Sequence, residues 1–153
     1  YNFLDIVFYK LELTHRFLQK EKYVVYLDAD TVVLKDKIDL LVNFLSNSSY
    51  DILIQSTATS TYCTGFYIVK PNKNTVKLFK TQQQSLFHGG DQHYFNNIIA
   101  PRLKIFRLPP WSYPVGKIFK NSKCLTPVLI HFNSFKSQED KLTFMKTRGY
   151  LYI

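Results

Sequence analysis

Two carboxylates one residue apart, Asp28 and Asp30, close an apolar run in YVVYLDADTVVL at residues 23–34. A run rich in Val, Tyr and Leu reads as a buried strand, so charged groups belong at its end, where they reach water or a metal. Held so close, the carboxylates repel each other, and a hard divalent cation would offset that charge. A plainer reading stands beside this one: Asp favours turns, and Asp30-Thr31 could cap a short connection.

The elements that must position such a site follow from periodicity. Leu4, Val7, Phe8, Leu11, His15 and Leu18 repeat at helical spacing, which predicts an amphipathic helix over residues 3–20 leading into the strand. A short helix is expected over 38–45 and a strand over 51–55. The apolar run GFYIV at 65–69 reads as another strand, closed by Pro71-Asn72 and followed by a helix over 73–85. After the break at Gly89-Gly90, Asp91 can cap a helix that ends before Pro101, because a residue preceding proline resists the α conformation. Strands over 103–108 and 128–132 and a helix over 137–146, stopped by Gly149, complete the chain. Strands alternating with helices predict an α/β domain with a largely parallel sheet. In such sheets ligands sit at the carboxyl ends of strands, where Asp28, Asp30 and His131 fall.

With 153 residues the chain is long enough for one domain that buries about two thirds of its unfolded surface. The formal net charge of +9 suits a polyanionic ligand such as a sugar nucleotide, and equally a nucleic acid or an anionic membrane. The lysines are scattered and form no block of five, which argues against a nucleic-acid arm. Cys63 and Cys124 lie in no zinc-type spacing, and a disulfide between them is possible without being implied. No apolar stretch approaches the roughly 18 residues of a membrane span. The chain starts without Met, so an upstream leader or anchor stays open. The compartment stays open with it: cytoplasm, or Golgi lumen if such an anchor exists.

Four segments taken together are more specific than any one: YLDADTVVL at 26–34, TGFYIVKPN at 64–72, GGDQHYFNN at 89–97 and LIHFNSF at 129–135. In this order they resemble the nucleotide-diphospho-sugar transferases of the GT-A fold, closest to retaining families 8 and 77. The resemblance implies a mostly parallel central sheet. It also implies that residues 1–153 form a single domain, the C-terminal portion of a full GT-A domain, lacking the N-terminal βαβ part that holds the nucleoside. Carried onto this sequence, it assigns Asp28, Asp30 and His131 to a Mn2+ or Mg2+ ion, a donor set of hard oxygens and one imidazole that suits those ions.

By the same resemblance, Gly65 lets the backbone approach the donor sugar, with Thr64 as a hydroxyl partner; an ordinary strand glycine is the alternative. Asp91 and Gln92 would lie beside the transferred sugar, although a plain helix cap also explains Asp91. Lys136 would contact the diphosphate, or be a solvated lysine at a helix start. His88 and His93 flank Asp91 in a glycine-rich loop and are not read as a metal cluster. Trp111 is read as core packing, with stacking on a sugar ring as the alternative.

The implied reaction is metal-dependent transfer of a sugar from a UDP-sugar to a hydroxyl of a saccharide, glycoprotein or glycolipid, with retention. Two rivals remain. One is a non-catalytic or truncated sugar-nucleotide-binding remnant. The other is a haloacid dehalogenase-like phosphatase, in which Asp28 would be the nucleophile and Asp30 the general acid/base.

Overall fold

The computed structural model describes residues 3–57, 61–80, 90–121 and 126–151. The predicted helix over 73–85 is seen as α3 (Lys73–Phe79), which ends at an extended Lys80, and residues 81–85 lie outside the described residues, as do His88, Gly89 and Cys124. The first helix, α1 (Phe3–Leu18), follows the predicted stripe, with Phe8, Leu11 and Leu18 buried.

The apolar run that carries the two carboxylates is not one strand. It divides into β1 (Val24–Leu27) and β2 (Thr31–Val33) around a turn at the Asp-Ala-Asp, where the Thr31 amide donates to the Asp28 carbonyl at 3.0 Å. The chain continues through α2 (Ile38–Ser46), β3 (Ile52–Ser56) and β4 (Tyr62–Val69) to α3. An Asn72 capping box opens α3: its side chain accepts from the amides of Asn74 and Thr75, and the Thr75 hydroxyl accepts from the Asn72 amide.

Helix α4 (Gly90–Tyr94) runs into a π-helical turn at Phe95–Ile99 and a 3-10 turn at Ala100–Arg102. The expected stop before Pro101 therefore does not occur. The proline sits at the start of a new helical turn, where its missing N–H has no intrahelical partner to lose. Strand β5 (Ile105–Arg107), α5 (Gly116–Asn121), β6 (Leu129–His131) and α6 (Gln138–Thr147) follow.

The four-stranded sheet has the order β1-β4-β3-β5. Only β3 and β5 pair in parallel; β4 is antiparallel to both β1 and β3, which corrects the expected mostly parallel sheet. The cause is local. Only residues 57–61 separate β3 from β4, too few to hold the crossover that parallel strands need, and the Thr57 amide donates to the Thr61 carbonyl. Between β3 and β5 the chain runs back along β4 and then through α3 and α4, which lets β5 lie parallel to β3.

Strand alternation sorts the core into two faces. Ile52, Ile54, Tyr67 and Val69 join Phe8, Leu11 and Leu18 of α1 and Phe79, Phe95 and Ile99. Their neighbours Leu53, Phe66 and Ile68 face the other way, onto Leu45 of α2, Tyr113 and Leu129. A third cluster holds the small second sheet, in which β2 pairs antiparallel with β6, against α6 through Ile130, Phe132 and Met145. Trp111, expected in the core, is 61% exposed. No helix among the described residues is long and apolar enough to cross a membrane.

Phe132 is fully buried directly after the last residue of β6, with its ring 5.6 Å from Tyr150 and 6.1 Å from Phe119. Phe132→Ala is expected to destabilise the fold by about 3–5 kcal/mol, read from the midpoint of a denaturant titration.

Candidate active site

The turn between β1 and β2 presents both carboxylates because each flanking strand is anchored separately. The Asp28 amide donates to the Gly65 carbonyl of β4 at 2.8 Å, while the Asp30 carbonyl accepts from the Phe132 amide at 2.9 Å. The β2–β6 register sets Thr31 opposite His131, so the imidazole arrives beside Asp30 although it lies about a hundred residues away in sequence. His131 Nε2 lies 3.1 Å from Asp30 Oδ1 and 3.4 Å from Asp28 Oδ2. One ligand atom from each of Asp28, Asp30 and His131 falls within 4.8 Å of the other two.

Gly65 is required by its neighbour His131. A Cβ at this position would lie 2.1 Å from both Cε1 and Nδ1 of His131, so the glycine leaves room for the imidazole ring itself. Gly65 also lines a cavity of about 790 Å³, together with Lys10, Thr64, Asp91, Gln92 and the three residues of the cluster.

Two cations that the sequence reading did not single out complete the site. Lys10 of α1 is only 8% exposed, and its Nζ lies 2.6 Å from Asp91 Oδ2 and 3.4 Å from Asp28 Oδ1. The same ammonium donates to the Thr64 carbonyl and hydroxyl at 3.3 Å, and the Thr64 hydroxyl donates to Asp91 Oδ2. The signal for Lys10 was its place on the buried stripe, one helical turn after Val7 and one before Thr14. Lys141 of α6 sets its Nζ 2.6 Å from Asp30 Oδ2. Lys136 is exposed and does not line the cavity; Lys141, five residues later, does. His93 is exposed on α4, away from the cavity lining.

The charges balance locally. Burial alone would raise the pKa of Asp30, but hydrogen bonds and charge from His131 and Lys141 hold its carboxyl well below the usual range. Burial would lower that of His131, yet its contacts with Asp30 and Cys63 push it up to about 9. A metal at this position would take the imidazole in its neutral form. The Tyr26 hydroxyl donates to Asp28 Oδ1 at 2.8 Å, and burial followed by the Asp28 charge raises the phenol above its ordinary value, so it stays a donor. Two carboxylate oxygens and one imidazole nitrogen, each with an edge toward the cavity, fit a hard divalent ion that keeps open positions for oxygen ligands.

Comparison with known proteins adds two findings. The family model of nucleotide-diphospho-sugar transferases matches residues 1–145. Among solved structures, the fold is similar to that of a glycosyltransferase involved in the glycosylation of the major capsid of PBCV-1, with a TM-score of 0.67 and 14% identity over 95% of this chain and 78% of that one. No curated protein matches.

Two substitutions test this geometry. Gly65→Ala is expected to drive the His131 ring off the carboxylates and weaken Mn2+ binding about tenfold or more in a calorimetric titration. Lys10→Ala leaves Asp91 buried without its counter-charge and is expected to cost about 3–5 kcal/mol of stability by chemical denaturation.

Proposed function

The chain belongs to the nucleotide-diphospho-sugar transferases, and from that premise we propose that it is a metal-dependent glycosyltransferase moving a sugar from a UDP-sugar to a hydroxyl acceptor with retention. The observation that carries this reading is the convergence of Asp28, Asp30 and His131 beside a cavity whose size, about 790 Å³, suits a small-molecule ligand. Mn2+ or Mg2+ held by these three residues would supply a Lewis acid for the departing diphosphate.

The protein's own groups divide the remaining work. Lys141, paired with Asp30, stands next to the position where negative charge develops on the leaving group and stabilises it electrostatically. Lys10 pairs with Asp91 and also lies near Asp28, which eases the repulsion among three carboxylates that face one cavity. Gln92, Thr64 and Gly65 line the same cavity as Asp91, where they would contact the donor.

Asp91 is the carboxylate that a covalent double displacement would use. Its Oδ2 is held by both Lys10 and the Thr64 hydroxyl, which favours a same-face route in which Asp91 anchors Lys10. Retention itself rests on the resemblance to families 8 and 77. The acceptor class, whether saccharide, glycoprotein or glycolipid, follows the family's general chemistry. The phosphatase reading finds no support in the family match.

UDP is expected to bind in calorimetry only when Mn2+ is present, and Asp30→Ala is expected to abolish that metal-dependent binding while the protein still melts cooperatively. Unchanged Mn2+ affinity in Asp30→Ala would sink the site assignment. Metal-dependent UDP binding without turnover of any UDP-sugar would favour the non-catalytic module. Lys141→Ala is expected to lower kcat about a hundredfold, with a smaller change in donor KM.

A further inference from the structure

Cys63 is fully buried on β4, two residues before Gly65, and both positions meet the His131 ring. Its Sγ lies 3.3 Å from His131 Nδ1, on the edge of the ring opposite the Nε2 that faces Asp28 and Asp30. A second donor reaches the sulfur: Asn133 Nδ2, at 3.5 Å. Asn133 is itself oriented, because its Oδ1 accepts from the Gly116 amide at 3.0 Å, which fixes the Nδ2 edge toward Cys63.

Resting on the reading of Asp28, Asp30 and His131 as metal ligands, we propose that Cys63 is a positioning residue, whose sulfur accepts the Nδ1 proton of His131 and so keeps the Nε2 lone pair aimed at the metal position. The argument is one of tautomers. A neutral imidazole carries one ring proton, and a nitrogen that ligates a cation cannot carry it, so Nδ1 must donate. Among the described residues Nδ1 meets the Cys63 sulfur, a weak acceptor that tolerates the length of this contact. Gly65 and Cys63 then act together, one making space for the ring and the other setting its rotation and tautomer. Outer groups of this kind commonly alter metal affinity by about 10–100-fold.

The test compares wild type, Cys63→Ala and Cys63→Ser. Mn2+ affinity is measured by calorimetry, thermal stability by a melt, and the ring nitrogens of His131 by long-range 1H–15N NMR in the Mg2+-loaded protein. The expected result is a loss of about tenfold or more in Mn2+ affinity for Cys63→Ala. Cys63→Ser keeps an acceptor and is expected to stay within about threefold of wild type. In wild type the proton should reside on Nδ1. Equal affinity in all three proteins, an equal loss in both variants that tracks a fall in melting temperature, or a wild-type ring protonated on Nε2 would each overturn the inference. Wild type that takes up no Mn2+ overturns the metal-site reading and this inference with it, whereas Mn2+ binding indifferent to Cys63 overturns this inference alone.

Discussion

Three carboxylates facing one cavity repel one another, and every element around the cavity contributes to making that arrangement tolerable. Asp28, Asp30 and Asp91 come from two separate segments, and the positive groups that meet them come from three: Lys10 from α1, His131 from β6 and Lys141 from α6. Removal of Lys10 leaves the buried Asp91 charge without its counter-ion, which costs far more than an exposed pair gains, whereas Asp30 is shared by His131 and Lys141. The same balance prepares the site for a divalent ion. His131 and Lys141 hold Asp30 ionised, so its oxygens are ready to bind metal without first losing a proton.

Three consecutive residues of β4 organise this balance. Cys63 and Gly65 receive the His131 ring, while Thr64, between them, meets Lys10 and Asp91. These residues lie where the β3–β4 register shifts between Ile54 and Gln55, and Asp28 joins the two groups by touching both His131 and Lys10. The aromatic cluster around Phe132 holds β6 and α6 together behind this arrangement, so His131 and Lys141 are carried by one packed unit.

Features that depend on local pattern were legible in the sequence. The carboxylate pair at a strand end, the apolar stripe of α1, the Asn72 turn and the His131 strand all read correctly from periodicity and turn chemistry. The sheet's direction did not, because helix and strand alternation suggested crossovers where β3 and β4 pair antiparallel across a five-residue connection. Gly65 was singled out, but the ring that fills its missing side chain belongs to His131, a partner set by two strand pairings that no linear pattern records. Lys10, Lys141 and Cys63 escaped for a related reason. Lys141 meets Asp30 across 111 residues and Cys63 meets His131 across 68, and lysines or a single cysteine carry no motif of their own.

The central claim is that Asp28, Asp30 and His131 jointly bind one divalent ion. Its most direct test is an anomalous difference map at the manganese edge from crystals of the protein grown with Mn2+ and UDP. The account predicts a single strong peak at bonding distance from one oxygen of each carboxylate and from His131 Nε2, with the diphosphate oxygens completing its coordination. A map without density between these three residues at saturating Mn2+, or with the ion bound elsewhere, would contradict it.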